Sequence, residues 1–279
     1  MDDFQKQIER MLAPYRAIQR ITEPMRLMQQ NLQKAMTPII EFQKTFEHIE
    51  KIYASIHKFE NPLLEKLEIF HRIGESLKSY AENTPEYLLL IAQNGWFIEL
   101  DSRLNFPSEV AFEIINENVD NANDLMINYY SENIDRIFDE LKQRHPDRIE
   151  ILNQIQLSYR DENYLVMIPC VLAQVDGICF DFTRKKFFIK EKDNKYLPEI
   201  SSELEKSAGN FLSIYLSPLQ NQTPIMVREN DKYKFPCKLN RHEILHGVSI
   251  DYGSLINSLK VISLLKYISD LLTELDKNH

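Results

Sequence analysis

The segment from Tyr164 to Phe182, YLVMIPCVLAQVDGICFDF, is apolar nearly all the way round a helical wheel, and no other stretch constrains the fold as much. A helix with no polar side has nothing to offer water, so it belongs at the centre of a core and needs other helices around it. The sequence supplies them. Pro146-Asp147 opens a helix ending near Tyr159, and Asp161-Glu162-Asn163 caps the central one. Ser201 to Leu216 is amphipathic. A long final helix runs from about Ser254 to Leu275, with Leu255, Leu259, Ile262, Leu265 and Ile268 on one stripe. Only 6 of 279 residues are Gly, while Leu, Ile, Glu and Lys are abundant, which favours helices over a Gly-turned sandwich or barrel. The expected class is mainly α, a helical bundle. One minor β-hairpin is expected at TPIMVRENDKYKFP, residues 223–236.

Upstream, Thr84-Pro85 has the form of an N-cap with Pro at the first helical position, and Asn94-Gly95 breaks that helix. Residues 108–143 read as two acidic helices separated near Asn121 to Asn123. Residues 1–60 carry apolar side chains at helical spacing, interrupted by Pro14, Pro24 and Pro38, and Asn61-Pro62 starts a further helix. Three segments follow: an N-terminal helical region (1–90), an acidic helical connection (91–145) and a helical domain (146–279). The N-terminal helices are the natural place for a regulatory or sensor partner.

Cys170, Cys179 and Cys237 are odd in number and form no C-x-x-C pair, which argues against a disulfide framework or a four-cysteine zinc site. No basic-then-apolar leader opens the chain, and apolar runs such as Leu165 to Ala173 fall short of the roughly 18 residues that span a bilayer. A cytoplasmic protein with no membrane partner is expected. Net charge is −9, so any hold on nucleic acid must come from a local site rather than the general field.

The chemistry concentrates in LNRHEILHGVSIDYG, residues 239–253, which satisfies two patterns. His242-Glu243-Ile244-Leu245-His246 is H-E-x-x-H, a zinc-hydrolase string. Its pair of histidines needs a stable helix and a third ligand. Gly247 stops the helix at once, however, and the longer zinc pattern fails because Ser249 and Tyr252 stand where Gly and His are required. The same segment is also R-x4-H, from Arg241 to His246. Asn240-x-x-Glu243 has the form of a capping box, which puts Arg241 at the positive start of a short helix, favourable to an anion. Five helical steps of about 100° set Arg241 and His246 roughly 140° apart, so one helix does not aim both at a single atom, and a composite site from two chains answers the difficulty. RNA carries its own nucleophile, the 2′-hydroxyl, so cleavage needs an imidazole to move protons and a guanidinium for the phosphate, but no metal.

The segment NRHEILHG resembles the signature of HEPN-domain proteins, in which Arg is followed by a polar residue, here His242, and then by His. The core helix YLVMIPCVLAQVDGICFD and the final helix DYGSLINSLKVISLLKYISDLL are similar to members of this superfamily, with the best parallels among bacterial toxin and abortive-infection proteins. The resemblance covers residues 146–279. It implies a helical homodimer with two motifs at its interface, no cofactor or metal, RNA as partner, and endoribonuclease activity with Arg241, His246 and His242 as catalytic residues. Asn240, Glu243, Asp176, Asp251, Tyr252 and Asn257 are candidate supporting residues; for Asp176 satisfying buried backbone or loop groups is the plainer reading, and for the last three turn and capping roles weigh equally with lining the site. The Arg184, Lys185, Lys186 and Lys190 run is either an RNA guide or a solvated insert. A catalytically silent helical dimer that binds a nucleotide or protein is the alternative from a different class.

Overall fold

The computed structural model describes residues 80, 82–190, 197–207 and 210–276, and these are mostly helical, with no strand among them. The helices expected within residues 1–79 lie outside the described residues. In chain order the helices are α1 (residues 82–93), α2 (Phe106–Ile115), α3 (Val119–Glu132), α4 (Ile134–Arg144), α5 (Ile149–Arg160) and α6 (Tyr164–Thr183). They are followed by α7 (Ser201–Ser207), α8 (Asn210–Tyr215), α9 (Arg241–Leu245) and α10 (Leu255–Asp276). Short 3-10 turns stand at Pro146–Arg148, Ser217–Leu219 and Glu229–Lys234.

The central element is α10. It packs along α6 and also meets α3, α4 and α7, so helices on both sides of residue 146 share its core. Its expected apolar stripe is only part of its buried surface: every residue from Ser258 to Leu272 is buried, which leaves the helix no wet face. The buried Leu and Ile side chains contribute about 1.5–3 kcal/mol each. Each polar side chain there needs a partner, because an unpaired buried donor or acceptor costs about 1–3 kcal/mol. Ser263 Oγ donates to the Lys260 carbonyl at 2.7 Å and accepts from Phe97 N–H at 3.1 Å. Ser269 shares a 2.7 Å bond with His145 Nε2, and Asp270 accepts from Leu100 N–H at 3.1 Å.

α6 is the helix the sequence marked as central, and Met167, Ile168, Val171, Leu172, Val175 and Ile178 are buried in it. By length and composition it is long and apolar enough to cross a bilayer, contrary to the expectation from shorter runs, although those side chains lie in the core. Pro169 sits inside it. Proline has no N–H, so the Leu165 carbonyl one turn earlier loses its helical donor. Tyr252 Oη donates to that carbonyl instead, at 3.0 Å.

Several boundaries depart from expectation. Residues 82 and 83 are already helical, so Thr84 is no N-cap. The break between the acidic helices falls at Asn116–Asn118, where Glu117 takes φ 62°, while Asn121 to Asn123 lie within α3; Asn133 then separates α4. The Ser201–Leu216 segment divides into α7 and α8. The expected hairpin at 223–236 is absent. Ile225, Met226 and Val227 are buried in succession rather than alternately, and Met226 N–H and Val227 N–H both return to the Thr223 carbonyl at 3.0 and 3.2 Å. Without a period of two there is no face on which to build a strand pair.

Candidate functional site

α9 is a single helical segment of five residues, too short to hold itself, and its neighbours define it. Asn240 caps the N-terminus as the sequence indicated, accepting from His242 N–H at 3.0 Å and Glu243 N–H at 3.3 Å. Its amide group turns the other way and donates to the Pro224 and Val227 carbonyls, both at 3.0 Å. One side chain thereby ties α9 to the turn that replaced the hairpin. The C-terminus closes at Gly247, φ +70°, with Gly247 N–H on the Ile244 carbonyl at 3.2 Å and Val248 N–H on the Glu243 carbonyl at 2.8 Å. Those two bonds make a Schellman motif, which needs the left-handed conformation that glycine takes without strain.

The capping box is only half formed, because the buried Glu243 carboxylate pairs with Lys232 on the preceding 3-10 turn. With both amides of the first turn bonded to Asn240, and Arg241 N–H directed to the Ile225 carbonyl at 3.4 Å, the helix start offers no free N–H to an anion, contrary to the sequence expectation.

The three residues of the motif separate as the helical wheel requires. Arg241 turns onto α6: its guanidinium lies 4.0 Å from Asp176 Oδ2 and 5.1 Å from the centre of the Phe188 ring, and its Nε is buried without a partner. Asp176 also accepts from Phe188 N–H at 2.8 Å, so one carboxylate fixes both the ring and the arginine above it. His242 and His246, one turn apart, are exposed and pack ring against ring with centroids 4.3 Å apart. Next to them in the chain Leu245, Val248 and Ile250 are exposed, Ile250 to 83%, and Leu165, Val166 and Leu255 are exposed where the following loop returns to α6.

The loop after α9 runs back along α6. Gly253 lies against Leu165, where a Cβ would come within 2.6 Å of Leu165 Cδ2. Asp176 and Leu165 are eleven residues apart on α6, about 16 Å at 1.5 Å per residue, and the motif bridges that span. Of the remaining candidates, Asp251 accepts from Ser249 Oγ at 3.2 Å, Tyr252 bonds the Leu165 carbonyl, and Asn257 donates to the Tyr252 carbonyl at 3.0 Å. These three hold the loop; none bonds a motif side chain.

The geometry bears on H-E-x-x-H as well. Glu243 is buried on Lys232 while the histidines face solvent, so the three side chains do not converge. Among the described residues, the group of three ligand side chains close enough to share an ion is Glu99, Asp101 and Asp270.

That group belongs to a buried ionic cluster that sequence reasoning missed. Lys266 on α10, 0% exposed, pairs with Asp270 at 2.6 Å, Glu99 at 2.9 Å, Glu140 at 3.0 Å and Asp101 at 3.4 Å. Arg136 bonds Glu99, and Arg144 bonds Asp270. Burial opposes the charge on Lys266, yet Asp270 and Glu99 hold its ammonium above the ordinary lysine range. Burial likewise pushes the Glu99 carboxyl up, but the Arg136 hydrogen bond and Lys266 bring it below the usual carboxylate value. The ammonium fills the space among the acids, so the cluster reads as an internal strut. The available signal was a Lys and an Asp four apart, Lys266 and Asp270, within the long final helix.

No protein-family model, curated protein or solved structure matches this chain.

Proposed function

We propose that the chain is a metal-independent endoribonuclease of HEPN type, working as a dimer that brings two copies of the Arg241–His246 motif together. The observation that carries the reading is the exposed His242–His246 pair on a helix anchored at both ends, in an apolar surface. His246 takes the proton of the 2′-hydroxyl as its oxygen attacks phosphorus; the P–O5′ bond breaks and the 5′-oxygen takes a proton from water, giving a 2′,3′-cyclic phosphate and a free 5′-hydroxyl. His242 orients the His246 ring it touches. Arg241 stabilises the charge that develops on the phosphate. Because Arg241 points toward α6 and His246 away from it, the partner's copy of the helix is the natural complement, and the exposed apolar residues are suited to its contact. A toxin or phage-defence setting rests on the family resemblance alone.

A silent helical dimer is the second reading. It is favoured by one observation: Arg241 is already occupied by Asp176 and Phe188. The deciding experiment is cleavage of total RNA by the full chain, with and without EDTA, beside Arg241→Ala and His246→Ala. Cutting that persists in EDTA and disappears in both variants is the expected result. Variants that cut as well as wild type would remove Arg241 and His246 from the chemistry and leave the silent dimer.

A further inference from the structure

His242 and His246 stand one turn apart on α9, and the turn between them is closed, with His246 N–H on the His242 carbonyl at 3.1 Å. Four helical steps of about 100° leave the two side chains only about 40° apart, in contrast to Arg241 and His246. Their rings accordingly meet, with centroids 4.3 Å apart. Both face solvent, and among the described residues neither ring has a hydrogen bond or an ion pair. Each neutral imidazole therefore keeps one ring nitrogen with its lone pair turned to no protein group. A helix of five residues would ordinarily flex too much to hold two ligands in register. This one is fixed at both ends, by the Asn240 cap and by the Schellman turn at Gly247.

We propose that His242 and His246 form a chelate for one divalent ion of the zinc, nickel and copper class, with water in its remaining positions. Histidines at i and i+4 are spaced so that two imidazoles reach a single metal. The donor set selects the ion: imidazole nitrogens suit late transition metals and give little to magnesium or calcium. The carboxylates nearest in sequence, Glu243 and Asp251, are held by Lys232 and Ser249, and the Arg241 cation turns away onto α6. This is not the H-E-x-x-H hydrolase arrangement, because Glu243 stays buried on Lys232 and activates nothing. The bound ion acts instead on the histidines. Coordination occupies the lone pair with which His246 would accept the 2′-hydroxyl proton, so bound metal switches the site off. That consequence rests on the ribonuclease reading; the chelate itself does not.

The test is isothermal titration calorimetry of metal-free, full-chain protein with zinc chloride. The proteins are wild type, His242→Ala, His246→Ala and the double variant, each checked for helix by circular dichroism. A variant that loses its helical signal is replaced by His242→Gln or His246→Gln. Wild type is expected to take up one more zinc ion per chain than the double variant, and each single variant to bind that ion at least about tenfold more weakly. Zinc sufficient to fill the pair should also stop cleavage of total RNA by wild type, and EDTA should restore it. Equal uptake by wild type and the double variant would overturn the chelate, as would a single variant that binds as tightly as wild type. Undiminished cleavage with the pair filled would overturn the switch. Uptake at the pair by a wild type that cuts RNA neither with zinc nor with EDTA would keep the chelate and sink the ribonuclease reading.

Discussion

At the scale of single residues, the fold depends on side chains that replace missing backbone partners. Pro169 leaves the Leu165 carbonyl without a helical donor, and Tyr252 supplies one at the surface. Tyr252→Phe should therefore cost about 0.5–1 kcal/mol in a denaturant titration. In a Pro169→Ala background, where an N–H returns to that carbonyl, the same change should cost markedly less, and a double-mutant cycle reads the coupling directly. Asn240 does more. Its replacement by Ala removes the cap of α9 and leaves two buried carbonyls unbonded, a loss of about 2–4 kcal/mol in unfolding free energy. His145, buried beside Ser269, carries a pH dependence. Burial, with the nearby Arg148 and Arg144 charges, lowers its pKa from 6.5 to about 4. The unfolded chain thus binds the proton first, so this contribution is complete above pH 6.5 and lost as pH falls toward 4. The full loss amounts to about 3 kcal/mol, and His145→Gln should flatten the stability curve across that window.

At the scale of elements, what could be read in advance was what local rules decide. α6 was legible from its run of apolar residues and α10 from its apolar stripe, and the two ends of α9 from Asn240 and Gly247, because caps act within a few residues. The hairpin was misread because the carbonyls of residues 224 and 227 are claimed by Asn240, a partner more than a dozen positions away. The ionic cluster was illegible for the same reason on a larger scale: Glu99 and Lys266 are far apart in the chain and meet only in the folded core. That cluster makes its own prediction. Lys266→Met leaves Glu99, Glu140 and Asp270 crowded without their shared cation and should destabilise the protein by about 3–5 kcal/mol at neutral pH. Glu99 and Glu140 have depressed pKa values, so their contribution to wild-type stability is lost as pH drops through them, while Asp270, which burial pushes up, works the other way. In the variant the same carboxylates lose their cation and titrate higher, so acid relieves them. The gap between the two proteins should narrow as pH falls, and urea melts at several pH values measure it.

At the scale of the whole molecule, the described core turns one side of α6 to α10 and another to the motif, so packing and candidate chemistry share a helix. Beside the histidines the surface stays apolar, with Val248 58% and Ile250 83% exposed. If a second copy covers that surface, Val248→Asp/Ile250→Asp should sediment as a monomer, keep its helical circular dichroism and lose RNA cleavage. A variant that stays dimeric and cuts normally would place the contact elsewhere.

α10 follows in the chain every helix that packs on it. Helices α3, α4, α6 and α7 therefore leave the ribosome before the element that fills their centre exists, and their apolar faces have to wait for it. A chain interrupted before Leu255 already carries Arg241 and His246 but not the core that positions α6 beneath them. Synthesis order thus withholds the packed core beneath the candidate site from incomplete chains.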